Sequence, residues 1–459
     1  MKKILALCFT IALTLTLFIG PAQAAPAYEG EVGPYAVLLL DADSGKVLYE
    51  KNADEIVEPA STTKIMTLLV ALEKADMDSV VTVSSNAERQ GGSLLHISSG
   101  EEIVMKDLLN GMMLASGNDA AVAVAEAVGG SEEGFAVLMN AKASELGMTN
   151  TNFVVAHGMH VENHHTTARD MARLTLYAMH DPEFAQIVGQ ASYTMPADNK
   201  HSSTWEVLNT NKLLLPTGLE PDNKYYYKYA TGIKTGSTPA AGDCLVSSAS
   251  KDGMNLICLI FNDKYNGSER WPLTKSLFEY GFSNFRTLNI QSIIESTGPV
   301  SVSVQNTAPG SETLELYVAN TGELFQTVEK ALAEKVEAGE LTSRIQYYNG
   351  DTLTAPVNEG DEVGTIEYAT DTGEVVYQGK LVASGNAASA DEVSAQPTEQ
   401  PPLPSETPEA SGENGGVGLL GWILIGVGAV LLVFVALLVV TAVKRKRRYR
   451  RRAARRRRR

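Results

Sequence analysis

The sequence predicts an α/β fold: an antiparallel sheet flanked by helices, with a mainly helical insertion, followed by a small all-β domain and a single transmembrane helix. Three observations carry this expectation. Alternating apolar segments around residues 35–50 and 229–262 read as strands. Between them, Ser61–Glu73 is an apolar-periodic stretch that reads as a helix, with Pro59 just before its start. Beyond about residue 286 strand-like alternation takes over, and beyond about 387 the chain turns rich in Pro, Ser, Glu and Gly.

Taken in order, the chain opens with Lys2 and Lys3, an apolar run from Ile4 to Ile19, and Ala22-Gln23-Ala24, which resembles a cleavage site. Residues 1–24 are expected to be a secretory signal peptide. Tyr35–Leu40 and Lys46–Glu50 flank a turn at Asp43-Ser44-Gly45 and predict an opening hairpin. An insertion from about 75 to 225 is mostly helical in pattern. Tyr229–Ile233, Cys244–Ala249 and Leu256–Phe261 predict strands that join the hairpin in one sheet, with Asp252-Gly253 as a hairpin turn. Trp271–Tyr280 predicts a helix packed against that sheet.

The expected boundaries are 25–285 for the first domain, 286–386 for the β-domain and 387–416 for a disordered tether. Val417 to Val443 holds 27 residues without a charge. At about 1.5 Å per residue that is long enough to span a bilayer with tilt. Residues 444–459 then carry 13 basic side chains. The positive-inside rule makes this tail cytoplasmic and the preceding domains extracytoplasmic.

The net charge of -16 conceals an asymmetry. Setting aside Lys2, Lys3 and the 13 basic residues of the tail leaves 23 basic against 54 acidic side chains, a net of -31. Such a surface repels anionic polymers, so nucleic acid is not expected as a partner. Cys8 leaves with the signal peptide, and Cys244 and Cys258 fall out of register across the predicted hairpin. Two buried free thiols are expected there.

Three strings carry the chemistry: Ser61-Thr62-Thr63-Lys64, Ser116-Gly117-Asn118 and Lys234-Thr235-Gly236. Each pattern has an accidental copy, such as Ser248-Ala249-Ser250-Lys251, but the copies lack order and context. Positions i and i+3 share a helix face, so Ser61 and Lys64 should lie side by side. A serine hydroxyl needs a base, and a lysine titrates near 10.4 unless burial and a neighbouring cation lower it. Lys64 is the expected base and Lys234 the expected neighbouring cation. No Gly-x-Ser-x-Gly elbow surrounds Ser61, so a hydrolase-type triad is not indicated. Ser116 and Asn118, on a turn between two helices, can bridge the lysine to a substrate and relay a proton. Lys234 and Thr235 on a strand edge suit a terminal carboxylate, and Gly236 permits close backbone approach. The amides of Ser61 and Ser237 can form an oxyanion hole.

With these strings the chain resembles the serine-type D-alanyl-D-alanine carboxypeptidases, the low-molecular-mass penicillin-binding proteins. Pro59–Thr67, Ala115–Ala120 and Thr231–Gly236 are similar to that family's motifs at full length. His157-Gly158-Met159, Asn209-Thr210-Asn211 and Phe278–Phe282 also fit. The resemblance covers roughly residues 30–385. It implies a penicillin-binding protein/β-lactamase-like fold and removal of the terminal D-alanine from peptidoglycan stem peptides through an acyl-enzyme on Ser61. It further implies β-lactam antibiotics as inhibitors and no metal or other cofactor. Arg270 stands where the family often has an arginine for the substrate carboxylate. His160 departs from the family's usual aspartate.

Four alternatives remain at this level. A β-lactamase would need a deacylating glutamate, and Glu206 is the superficial candidate. A DD-endopeptidase could use the same fold, and an idle penicillin-binding sensor would keep the motifs without turnover. A metal-dependent peptidase could use His157, His160, His164 and His165 with Glu162.

Overall fold

The computed structural model describes residues 26–264, 268–319 and 325–390. Strands β1 (Ala36–Asp41) and β2 (Val47–Lys51) form the opening hairpin. A 3₁₀ turn at Ala60–Thr63 runs directly into helix α1 (Lys64–Lys74). The insertion begins with the pair β3 (Val80–Thr82) and β4 (Glu102–Val104), then α2 (Met105–Ala115), α3 (Asn118–Gly129) and α4 (Glu132–Glu145). It continues through α5 (Ala168–Met179), α6 (Pro182–Gly189) and the hairpin β5 (Ser192–Met195)–β6 (Trp205–Leu208). Strands β7 (Ala230–Thr238), β8 (Gly242–Lys251) and β9 (Met254–Asp263) complete the main sheet, and α7 (Arg270–Asn284) packs on it.

The sheet is antiparallel throughout, in the order β2-β1-β9-β8-β7. Strand β1 is buried along its whole length, as a strand covered on both faces must be. Its side chains alternate between two cores. Leu38 and Leu40 face α1 and the insertion with Ile65, Leu68 and Leu259. Val37 and Leu39 face α7 with Ile260, Leu277 and Phe278. Between β8 and β9, Asp252 (φ 52°) and Gly253 (φ 79°) both take left-handed conformations. Such a turn matches the strand twist, so Asp-Gly sets the register.

Helix α5 starts with the Thr167 side chain accepting the Asp170 amide at 3.0 Å, as a threonine N-cap does. The reciprocal half of a capping box is missing. The Asp170 carboxylate instead accepts from the Asn150 amide and the Thr151 hydroxyl.

After α7 come β10 (Phe285–Asn289) and α8 (Ile290–Thr297), then β11 (Val300–Gln305), β12 (Thr313–Val318) and β13 (Phe325–Glu329). Helix α9 (Lys330–Glu337), β14 (Leu341–Tyr347), β15 (Leu353–Thr354), β16 (Glu362–Thr370) and β17 (Val375–Ala383) follow. The larger sheet runs β14-β16-β17-β12-β11-β15, and β10 pairs with β13. Strand β12 alternates exposed and buried residues, so one sheet face supplies the core of this mainly β domain. Its two short helices are additions to the strands that the sequence predicts. The Lys46 ammonium donates to the Thr327 carbonyl at 2.9 Å, and the Thr287 hydroxyl to Asp41 at 2.6 Å, which ties this domain to the opening hairpin.

The expected signal peptide (1–24), transmembrane segment (417–443) and basic tail (444–459), and the linker beyond residue 390, lie outside the described residues. Among the described residues no helix is long and apolar enough to cross a membrane.

Candidate active site

Ser61 sits in the 3₁₀ turn rather than in an α-helix, so the helix expected from Ser61 begins at Lys64. In a 3₁₀ turn residues i and i+3 eclipse, which places Ser61 and Lys64 directly one over the other. Lys64 Nζ lies 3.1 Å from Ser61 Oγ. The same nitrogen is 2.7 Å from Asn118 Oδ1 and 2.9 Å from the His157 carbonyl oxygen. Both of those oxygens can only accept. A neutral amine has two N–H bonds and one lone pair, so with both hydrogens so engaged the lone pair faces the Ser61 hydroxyl.

Lys64 is fully buried. Burial, and next the nearby Lys234 ammonium, hold its pKa well below the ordinary lysine range, with the Asp119 carboxylate opposing. Lys234 is buried too, and its pKa falls to about 7 through burial and the Arg270 guanidinium. Its Nζ donates to the Thr235 carbonyl at 3.0 Å.

Asn118 opens α3 and is fixed at both ends of its amide, since Nδ2 donates to Gly91 O at 2.6 Å. Ser116 ends α2 in a left-handed conformation (φ 60°), which turns the chain toward the cleft. The adjoining Asp119 carboxylate accepts the amides of Leu95, His96 and Ile97 and so holds the loop carrying Ser93.

Strand β7 is the free edge of the sheet. A Cβ on Gly236 would stand 2.9 Å from the Ser61 amide nitrogen, so only glycine lets the strand pass this close to the nucleophile turn. The Thr235 hydroxyl is 2.6 Å from that of Thr210, and Asn211 Nδ2 donates to Gly232 O at 2.8 Å, which anchors β7 to the stretch after β6. Ser237 is exposed at the rim. A cleft of about 420 Å³ is lined by Ser61, Ser116, Thr235, Gly236, Ser237 and Arg270, among others.

Arg270 therefore reaches the cleft, but it is not a free cation: its Nη1 donates to Asp243 at 2.9 Å and to Gly236 O at 3.2 Å. Its Nε is buried with no hydrogen-bond partner among the described residues.

The structure brings Ser61, Lys64, Ser116, Asn118, Lys234, Thr235, Gly236, Ser237 and Arg270 to one place. Asp119, Thr210 and Gly158 contribute as well, residues that lie inside strings the sequence displays but to which it assigns no role of their own. A Cβ on Gly158, which has φ 86°, would come within 1.9 Å of the Ala60 carbonyl. The loop behind the nucleophile thus depends on that glycine. Its positive φ was unreadable, although its place in His157-Gly158-Met159 was a signal.

The histidine cluster does not form a metal site. His157 Nδ1 accepts the Met159 amide at 3.0 Å, and Nε2 lies 3.5 Å from Glu132. His164 Nδ1 accepts the Val154 amide at 3.0 Å, and Nε2 is 2.9 Å from the Thr63 hydroxyl. Burial holds both imidazoles neutral, His157 at about 3 and His164 at about 4. His164 Nε2 braces the turn that presents Ser61 through Thr63, while His157 reaches Lys64 through its backbone carbonyl. His160 pairs with Glu58 at 2.9 Å, and His165 is 3.0 Å from the Asn163 carbonyl. Glu206, the deacylation candidate, is exposed on β6 opposite Thr194 and away from the cleft lining. Cys244 and Cys258 are free and buried.

An edge strand, a nucleophile on a helical turn and a buried lysine base define a serine acyl-transfer enzyme. Residues 22–265 match the D-alanyl-D-alanine carboxypeptidase family, and residues 311–388 match the penicillin-binding protein 5 C-terminal domain. The chain is 32% identical over 359 residues to the D-alanyl-D-alanine carboxypeptidase DacF of Bacillus subtilis, covering 76% of this chain and 84% of that one. It is 33% identical over 365 residues to DacC of Escherichia coli, covering 76% and 83%. Among solved structures, penicillin-binding protein 5 of Haemophilus influenzae superposes with a TM-score of 0.62 at 27% identity, covering 79% of this chain and all (100%) of that one. DacD of Francisella tularensis superposes with a TM-score of 0.62 at 26% identity, covering 81% and 99%. The chain belongs to the D-alanyl-D-alanine carboxypeptidase family.

Proposed function

We infer that this protein is a serine-type D-alanyl-D-alanine carboxypeptidase that trims the terminal D-alanine from peptidoglycan stem peptides. The observation that carries the mechanism is the Lys64 amine, held between Asn118 Oδ1 and His157 O with Ser61 Oγ at 3.1 Å. Ser61 Oγ attacks the carbonyl carbon between the two D-alanines while its proton passes to Lys64. The oxyanion is held by the amides of Ser61 and Ser237, and Gly236 allows that approach. The C–N bond then breaks as the proton passes through Ser116 to the leaving amine. Water hydrolyses the acyl-enzyme and restores Ser61.

Lys234 and Thr235 supply donors for the terminal carboxylate, the Arg270 guanidinium adds positive charge at the cleft wall, and Asn118 orients both lysine and substrate. A β-lactam presents an acylating carbonyl and a carboxylate to the same groups, so penicillins acylate Ser61. The leader at 1–24, the apolar stretch at 417–443 and the basic tail support an exported enzyme tethered to the cell membrane, with its catalytic domain outside.

The test is release of D-alanine from a diacyl peptide ending in D-Ala-D-Ala. The expected result is one D-alanine per peptide, blocked by penicillin and abolished in Ser61→Ala. Release that persists in Ser61→Ala would sink the mechanism.

A further inference from the structure

Outside the cleft, one cluster of metal-ligating side chains among the described residues is assembled from parts of the chain far apart in sequence. Glu101 precedes β4, while Asp198 and His201 lie in the turn between β5 and β6. Their ligand atoms lie within 4.8 Å of one another. His201 Nδ1 is 3.2 Å from Glu101 Oε1 and 3.2 Å from Asp198 Oδ2.

Each side chain is fixed by one set of contacts that leaves one ligand atom pointing inward. Glu101 Oε2 accepts the Ser98 amide at 2.7 Å. Asp198 Oδ1 accepts the amides of Lys200 at 2.6 Å and His201 at 2.8 Å. The His201 ring lies against Trp205, with centroids 4.4 Å apart. Asn199 bridges the two segments, accepting from the Glu102 amide at 2.9 Å and donating to Gly100 O at 2.8 Å.

One atom is left over. Glu101 is completely buried, and its Oε1 accepts no hydrogen bond, because the geometry of His201 Nδ1 suits Asp198 Oδ2 instead. A buried carboxylate oxygen without a donor is costly. Glu101 and Asp198 each bring a carboxylate oxygen to within 3.2 Å of His201 Nδ1, and a cation held among the three atoms would offset the repulsion between the two acids. The two edges from His201 Nδ1, 3.2 Å each, suit ligands about 2.0–2.2 Å from a central ion.

We propose that Glu101, Asp198 and His201 form a site for a divalent transition-metal ion, best matched by zinc, which clamps the β5–β6 hairpin to the segment before β4. One imidazole and two carboxylates favour such an ion over calcium or magnesium, which prefer all-oxygen shells. His201 is partly exposed, so water can complete the shell. The hairpin leads through Leu208 to Thr210, and the clamped loop leads back to Ser93, both on the cleft wall. The ion is structural and takes no part in acyl transfer.

The experiment uses the full chain in mild detergent, stripped with chelator and titrated with zinc chloride alone. The expected result is one ion bound per chain and a rise in Tm of about 5–10 °C at a hundredfold excess over Kd. Asp198→Asn is the sharper variant, since it keeps Oδ1 for the Lys200 and His201 amides while removing the Oδ2 ligand. It should weaken zinc binding by about tenfold or more and abolish the rise in Tm, and His201→Ala should do the same. Magnesium should give no rise. The proposal is overturned if zinc neither binds nor raises Tm. It is equally overturned if both variants bind zinc as tightly as the parent protein, because the ion then sits elsewhere.

Discussion

The Asn118 amide oxygen lies closer to Lys64 Nζ, at 2.7 Å, than the Ser61 hydroxyl does, at 3.1 Å. Asn118 is therefore the residue that fixes where the lysine lone pair points. In Asn118→Asp a carboxylate would stand against the amine and favour its protonated form. The acylation rate measured with a labelled penicillin should fall by about 10²-fold or more, the scale of losing a positioned base. An unchanged rate would mean that the lysine is not the proton acceptor.

Lys234 gives the enzyme an alkaline limb. Its pKa of about 7 means that the free enzyme loses this cation as pH rises through 7. Two effects follow with the same sign: the carboxylate anchor weakens, and the cation that adds to burial in holding Lys64 neutral is withdrawn. kcat/KM should therefore decline above about pH 7. A bound carboxylate stabilises the charged form, so kcat should hold to higher pH. Parallel profiles of kcat and kcat/KM would contradict this assignment.

His157 and His164 make stability depend on pH. Their folded pKa values, about 3 and about 4, lie below the ordinary histidine value. Below about pH 6.5 the unfolded chain takes up protons that the folded state refuses, so stability is full above that pH and is lost as pH falls toward 4. The limiting slope is about 1.4 kcal/mol per pH unit for each histidine. Urea melts between pH 7 and 5 should show this decline, and His164→Gln should flatten it.

Gly158→Ala combines a left-handed backbone with a carbonyl oxygen 1.9 Å from the new methyl group. Destabilisation of about 2–4 kcal/mol is expected, together with slower acylation because Ala60 carries the Ser61 turn. Denaturant melts and penicillin labelling measure the two effects separately.

Much of the site is legible in the sequence because its reactive groups occupy short strings with fixed roles: Ser61 and Lys64 one turn apart, Asn118 heading a helix, Lys234 on an edge strand. The sheet is equally readable, since Leu38 and Leu39 alternate between two cores and Asp252-Gly253 sets a register. What the strings do not carry is the packing between distant segments. Nothing local says that Gly158 must pass beneath Ala60, that Asp119 gathers three loop amides, or that Asp243 pairs with Arg270 Nη1. The histidines closest in sequence, at 157–165, spend their nitrogens on backbone amides and carbonyls, the Thr63 hydroxyl and the carboxylates of Glu58 and Glu132. His201 meets Glu101 only because the β5–β6 hairpin folds over a loop a hundred positions earlier. The 3₁₀ turn at Ser61 is equally illegible in Ser-Thr-Thr, and it lies where β7 passes close at Gly236.

The buried thiols of Cys244 and Cys258 have a practical corollary. Burial pushes both up to about 12, so neither offers a thiolate at neutral pH. A cysteine placed at the exposed cleft rim, as in Ser237→Cys, would be the site where a maleimide dye reacts in the folded domain. The enzyme thus accepts a fluorescent reporter at its entrance without any prior removal of its own sulfhydryls.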